Sequence, residues 1–148
     1  MNDYEHTETG WVIIASMGAA MAGIYAAFAS GAMPGGAGAQ ALLQFVLLAA
    51  LLNFYRQKVT VDGHAVRLRL GLGLIRRTVP LTEIAGAAPL RAPWLYGWGI
   101  HYVGDGWIFN VSSLDCVELR LKNGRRLLIG TDDQPALHAA IVGRLAKT

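Results

Sequence analysis

The sequence predicts a membrane α-helical hairpin followed by a small all-β barrel of about seven antiparallel strands, closed by a C-terminal α-helix. Three observations carry this. Residues 9–55 contain no Asp, Glu, Lys or Arg. Beyond Arg56 apolar residues recur at period two between glycine turns, the mark of half-buried strands in hairpins. Near the end Leu137, Ile141 and Leu145 recur every four residues and make one apolar helix face.

Composition agrees with a membrane class. The 148-residue chain is 53% hydrophobic and only 16% charged. Its charges are divided. Asp3, Glu5 and Glu8 precede the uncharged run, so the head carries −3, and all 13 basic residues follow it beside seven acids, so the tail carries +6, giving the net +3. A basic domain directly after a membrane segment suits anionic lipid headgroups, and its arginines alternate with apolar strand positions in a way that fits lipid better than nucleic acid.

The uncharged run divides at Met33-Pro34-Gly35-Gly36, a helix-breaking turn. Residues 1–10 are read as an N-terminal tail, 11–33 and 37–55 as the two spans of a hairpin over 11–55, and 56–148 as the β domain. The first span, at about 1.5 Å rise per residue, is long enough for a ~30 Å hydrocarbon core. Trp11 at one end and Phe54 and Tyr55 at the other place rings at the same interface. The turn has no basic residue, whereas Arg56 and Lys58 follow the second span at once, so the positive-inside rule puts both termini in the cytoplasm. A cleaved signal peptide ending at "AFASGA" would need a basic start and a shorter apolar stretch.

Ala15, Ala19, Gly23, Ala27 and Gly31 form a small-residue stripe where a second helix can approach closely. That helix is either the second span or a span of another chain. Gln40 and Gln44 either hydrogen-bond across helices or sit near the headgroups.

In the β domain, Val59 and Val61, then Val66, Leu68 and Leu70, face one side across the Asp62-Gly63 turn. Residues 75–79 make a further strand that Pro80 ends, and "LTEIAGAAPLRA" a less regular one. Residues 100–103 and 107–111 flank "GDG" as a hairpin. Trp107, Phe109 and Val111 share a face there, which makes Trp107 a core residue. Trp94, Tyr96 and Trp98 form an irregular aromatic loop before it. Its three readings are packing at the barrel end, contact with the membrane interface, and a ligand pocket. Between Leu121 and Leu127 a three-residue loop places Leu127 and Ile129 on the Leu119/Leu121 face, whereas a two-residue loop would turn them away. Thr131, Asp132 and Asp133 offer N-cap oxygens to the final helix, and Pro135 suits its first turn.

"VPLTEI" (79–84), "GWGIHYVGDGWIFNV" (97–111) and "CVELRLKNGRRLLIGTDDQPALHAAI" (116–141) together resemble a bacterial pleckstrin-homology-like domain, in which a membrane hairpin often precedes the domain. The resemblance implies a strongly bent seven-stranded sheet with a helix plugging one end, and a membrane-associated binding or assembly module instead of an enzyme. Eukaryotic relatives in fold bind phosphoinositides around the first hairpin. Here that turn, "VDGHAV", carries no Lys or Arg.

Catalytic chemistry is not suggested. The four His lack metal-ligand spacing, and His138, one place past Leu137, is read as exposed. Asp105, Asp132 and Asp133 fall in turns and caps. Cys116, the only cysteine, reads as a small core residue. The expectation is therefore a non-catalytic module of the bacterial inner membrane, without cofactor or metal. Its headgroup contacts are Arg56, Lys58, Arg67, Arg69, Arg76 and Arg77, and its stripe serves a homo-oligomer or a membrane-protein partner. The alternatives are an accessory subunit of a membrane enzyme or transporter, and a small-ligand domain with its pocket at the barrel end.

Overall fold

A computed structural model describes residues 3–147. Two long helices, α1 (Trp11–Ala29) and α2 (Ala37–Phe54), form the hairpin. Both are long and apolar enough to cross a membrane. Among the described residues, the chain around them folds into nine strands and a further helix, α3 (Gln134–Leu145).

The strands make two sheets. The first holds β1 (Tyr4–Thr9), β2 (Arg56–Val61), β3 (Ala65–Leu70) and β4 (Ile75–Pro80) in sequence order. The second holds β5 (Ile84–Arg91), β6 (Gly99–Tyr102), β7 (Gly106–Asn110), β8 (Asp115–Leu121) and β9 (Arg126–Gly130), in the order β5-β8-β9-β7-β6. Every pairing is antiparallel except that of β7 with β9. The expected closed barrel of about seven strands is not formed. The ladder stops after β4, where Pro80 and a 3-10 turn at Leu81–Glu83 redirect the chain into the second sheet.

The inner faces of both sheets share one core. Val59, Val61, Val66, Leu68 and Val79 meet Val117, Leu119 and Ile129, with Leu137 and Ile141 of α3 closing it. Burial of this kind is the main favourable term in folding. The loop between β8 and β9 has three residues, as the apolar pattern predicts: Leu119 pairs with Leu127, Val117 with Ile129, and Leu121 N–H donates to the Arg125 carbonyl at 2.9 Å. A smaller cluster of Ala92, Ile108, Cys116 and Leu128 lies on the other face of the second sheet.

The N-terminal segment is the main departure from the sequence reading. Residues 4–9, read as part of a tail, are a full edge strand paired with β2 from Tyr4↔Val61 to Thr9↔Arg56. The helical hairpin is thus inserted between two adjacent strands. Gly10 sits at the junction, where an added Cβ would lie 2.9 Å from the Phe54 carbonyl oxygen and 3.1 Å from Val111 Cβ. β1 also grips the approach to α3. His6 Nε2 and Asp132 Oδ1 are 2.5 Å apart, Tyr4 Oη donates to Asp133 Oδ2 at 3.1 Å, and Asp3 pairs with Arg144 at 3.3 Å. Asp132 and Asp133 therefore serve the N-terminal strand, and neither caps α3 with a side-chain hydrogen bond.

Within the hairpin the small-residue stripe is largely exposed, Ala27 alone of its five residues being half-buried. Ala15, Ala19, Gly23 and Gly31 are exposed, and a Cβ at Gly23 would meet nothing within 4 Å. The bulkier half-buried Met17, Met21, Ile24 and Phe28 lie on the other side. Gln44 bridges the spans, its Nε2 donating to the Met21 carbonyl at 2.9 Å.

Candidate functional site

Strand alternation places the basic residues. Core-facing Val59, Leu68 and Leu70 leave Lys58 and Arg69 on the outer face of the first sheet. Register then aligns them: Thr7 lies opposite Lys58, Lys58 opposite Arg69, and Arg69 opposite Arg76. Three cations thus form one line across three strands. Like charges directly opposite one another destabilise a sheet, so the line carries a cost that an anion would relieve.

Of the six basic residues singled out in the sequence, Arg56, Lys58, Arg69 and Arg76 surround a cavity of about 280 Å³, with Thr7 and the turn 71–73 completing its wall. Arg67 is on the same face but one row away, paired with Asp62 and lining an adjoining cavity with Glu5 and Thr60. Arg77 is not brought together with them. It lies beside Tyr102, Trp107 and Arg125 in a separate depression, because the residue after Arg76 must point to the opposite face.

Ion pairing sorts the group further. Lys58 Nζ is 2.7 Å from Glu5 Oε1. Among the described residues no carboxylate pairs with Arg56, Arg69 or Arg76. Arg56 lies over the Tyr55 ring at 5.1 Å, a cation–π contact that leaves its charge unneutralised.

The turn between β3 and β4 is the part the sequence reading missed. It runs through Gly71, Leu72, Gly73 and Leu74, and Leu72 and Leu74 are 59% and 73% exposed. Two leucines in a glycine-spaced turn were the available signal. The turn is fastened to α2: Leu72 N–H donates to the Leu52 carbonyl at 3.2 Å, and Gly71 N–H to the Arg56 carbonyl at 2.8 Å. Gly71 has a positive φ of +50°, and a Cβ there would lie 2.2 Å from the Leu52 oxygen. Only glycine allows that approach. Arg56 and Arg76 in turn donate from Nε to the Gly71 and Gly73 carbonyls.

The aromatic loop separates into roles. Tyr96 packs on the smaller cluster with Ile108 and Cys116. Trp98 packs on the main core, and its Nε1 donates to the Ser112 carbonyl at 2.8 Å. Trp94 and Leu95 stay exposed. Trp107, expected in the core, is 46% exposed and lies edge-on to Tyr102 with centroids 5.4 Å apart. It starts β7 next to Gly106, beyond the edge of the core that Phe109 and Val111 reach. His138, expected outside, is half-buried with Nε2 3.2 Å from the Ala87 carbonyl. Cys116 is fully buried, and burial pushes its thiol up to about 12.

An apolar crevice of about 410 Å³ lies on another side of the hairpin base, lined by Val12, Ile13, Met17, Phe54, Trp98 and Ile100 among others. Three buried side-chain oxygens, Glu8 Oε2, Gln57 Oε1 and Asn110 Oδ1, have no donor among the described residues. No three His, Cys, Asp or Glu side chains group as metal ligands among the described residues. No protein-family model matches the chain, and no curated protein matches it.

Proposed function

We propose that this protein is a non-catalytic, membrane-anchored binding module of the bacterial inner membrane, with its β domain in the cytoplasm and the basic face of the first sheet against anionic lipid. One observation carries the reading. The hairpin rises between hydrogen-bonded neighbours β1 and β2, so the cations of β2, β3 and β4 are held beside the points where the spans leave the bilayer. Lys or Arg near an anionic surface contributes about 1 kcal/mol each.

Two sheets on one core with a C-terminal helix support the resemblance to a bacterial pleckstrin-homology-like domain. The parallel β7–β9 pair and the open ladder are this chain's own features. The outward small-residue stripe supports association through α1 with a second copy or a partner helix. The test is reconstitution of the full chain into vesicles with and without anionic lipid. Carbonate washing must leave it in the bilayer, and protease added to the domain side must reach both termini. Release by carbonate, or termini on opposite sides, overturns the reading.

A further inference from the structure

The cavity on the outer face of the first sheet has the properties of a headgroup site, and depth is the first of them. Leu72 is hydrogen-bonded to Leu52, which lies within α2, two residues before its last residue, Phe54. If α2 spans the bilayer, the exposed Leu72 and Leu74 lie level with its final turn, at the boundary of the hydrocarbon. The guanidinium groups of Arg56 and Arg76, which hold the same turn through its carbonyls, then fall in the headgroup layer just below. Apolar tip and cationic collar are stacked in the order that a lipid presents its tail and its phosphate.

Charge is the second property. Glu5 neutralises Lys58, which leaves Arg56, Arg69 and Arg76 with about +3 facing one cavity. A phosphodiester headgroup brings a single negative charge. A phosphomonoester brings close to two and three acceptor oxygens, enough to receive a donor from each arginine. Guanidinium forks match phosphate in two-point hydrogen bonds, and Thr7 on the same wall adds a hydroxyl. The size, about 280 Å³, is at the low end for ligand pockets and suits a headgroup rather than a larger cofactor.

We propose that Arg56, Arg69 and Arg76, with Lys58 on the same wall, bind the phosphomonoester head of a membrane lipid, with Leu72 and Leu74 seated among its acyl chains. This rests on the anchored reading above and narrows it from general surface charge to one headgroup chemistry.

The test uses the full chain in phosphatidylcholine nanodiscs doped with phosphatidic acid, or with phosphatidylglycerol matched in total charge. Lipid retained on the released protein is counted by native mass spectrometry. Phosphatidic acid is expected to be retained about tenfold over phosphatidylglycerol, a difference worth about 1.4 kcal/mol. Arg69→Gln with Arg76→Gln should abolish the preference while the variant stays in the disc. The exposed Arg77→Gln, outside the cavity, should keep it. Equal retention of the two lipids, or a preference that survives the double substitution, overturns the proposal. So does inorganic pyrophosphate that binds in undoped discs as strongly as phosphatidic acid does, since the ligand would then be a soluble phosphate. A chain that never enters the disc overturns the anchored reading as well, whereas one that enters without discriminating overturns the headgroup site alone.

Discussion

Gly10 N–H donates to the Tyr55 carbonyl at 2.8 Å, so the chain goes into the helical hairpin and comes out of it across a single backbone hydrogen bond. The spans are therefore not hung from a linker. They continue two neighbouring strands, and the orientation of the sheet follows that of the hairpin.

The turn fastened to α2 should be intolerant of a side chain. Gly71→Ala places a Cβ against the Leu52 carbonyl and forces an L-residue into a left-handed backbone, which costs roughly 1–2 kcal/mol before any clash. Urea unfolding followed by Trp fluorescence should show a loss above that figure. A wild-type midpoint would mean that the turn does not rest on the helix.

Glu8 should make stability depend on pH. It is 4% exposed, with one oxygen receiving the Ser113 N–H at 2.7 Å and the other without a donor. Burial pushes its carboxyl up to about 7, with Asp132 adding to the rise, while the Ser113 bond and His6 oppose it. The folded state therefore holds the proton more tightly than the unfolded chain. The resulting stability is complete below the ordinary value of 4.5 and is lost as pH rises through about 7. The thermal midpoint of wild type should fall relative to that of Glu8→Gln across this window. Gln cannot ionise in this range. Parallel pH profiles for the two proteins would contradict this.

The stripe on α1 should tolerate bulk within one chain. Ala19→Leu with Gly23→Leu meets open space at Gly23, so the folded hairpin should be unchanged within about 0.5 kcal/mol. Crosslinking of the reconstituted protein should weaken, because close helix approach depends on small residues. If only monomers are seen in wild type, the association reading is wrong.

Two aromatic neighbours on β7 should behave differently. Phe109→Ala removes a buried ring from the core and should cost about 3–5 kcal/mol. Trp107→Ala removes a half-exposed ring whose one aromatic partner is Tyr102, and should cost about 0.5–1.5 kcal/mol for that contact. Equilibrium denaturation separates the two.

Much of this architecture is legible in the sequence where a long-range physical constraint leaves a local pattern. A charge-free run broken by Pro34 marks the hairpin, and burial alone settles the β8–β9 register. β1 leaves almost no such pattern. "YEHTET" lacks apolar alternation because an edge strand of the first sheet needs little, and its partner lies beyond both helices of the hairpin. Trp107 misleads because alternation gives the face of a residue but not how far along the strand the core extends. The cations of the candidate site were individually visible. Their grouping was not, since it depends on cross-strand register, which splits Arg76 from Arg77 and brings in Thr7. Leu72 and Leu74 look like ordinary turn residues until Leu52 is seen beside them.

The insertion of the hairpin between β1 and β2 also bears on how the protein is made. Thr9 and Arg56 are paired strand residues separated by the whole hairpin, and in water joining such distant segments carries a loop-closure cost that slows folding. If α1 and α2 cross a bilayer, their insertion returns the chain to its starting side next to where it left. In the anchored reading the bilayer performs the search for β1's partner, and β1 can zip onto β2 as soon as residues 56–61 emerge. Its remaining contacts, to Asp132, Asp133 and Arg144, must wait until α3 and the segment before it have been made. β1, made before the other eight described strands, is therefore also the last of them to be fully secured.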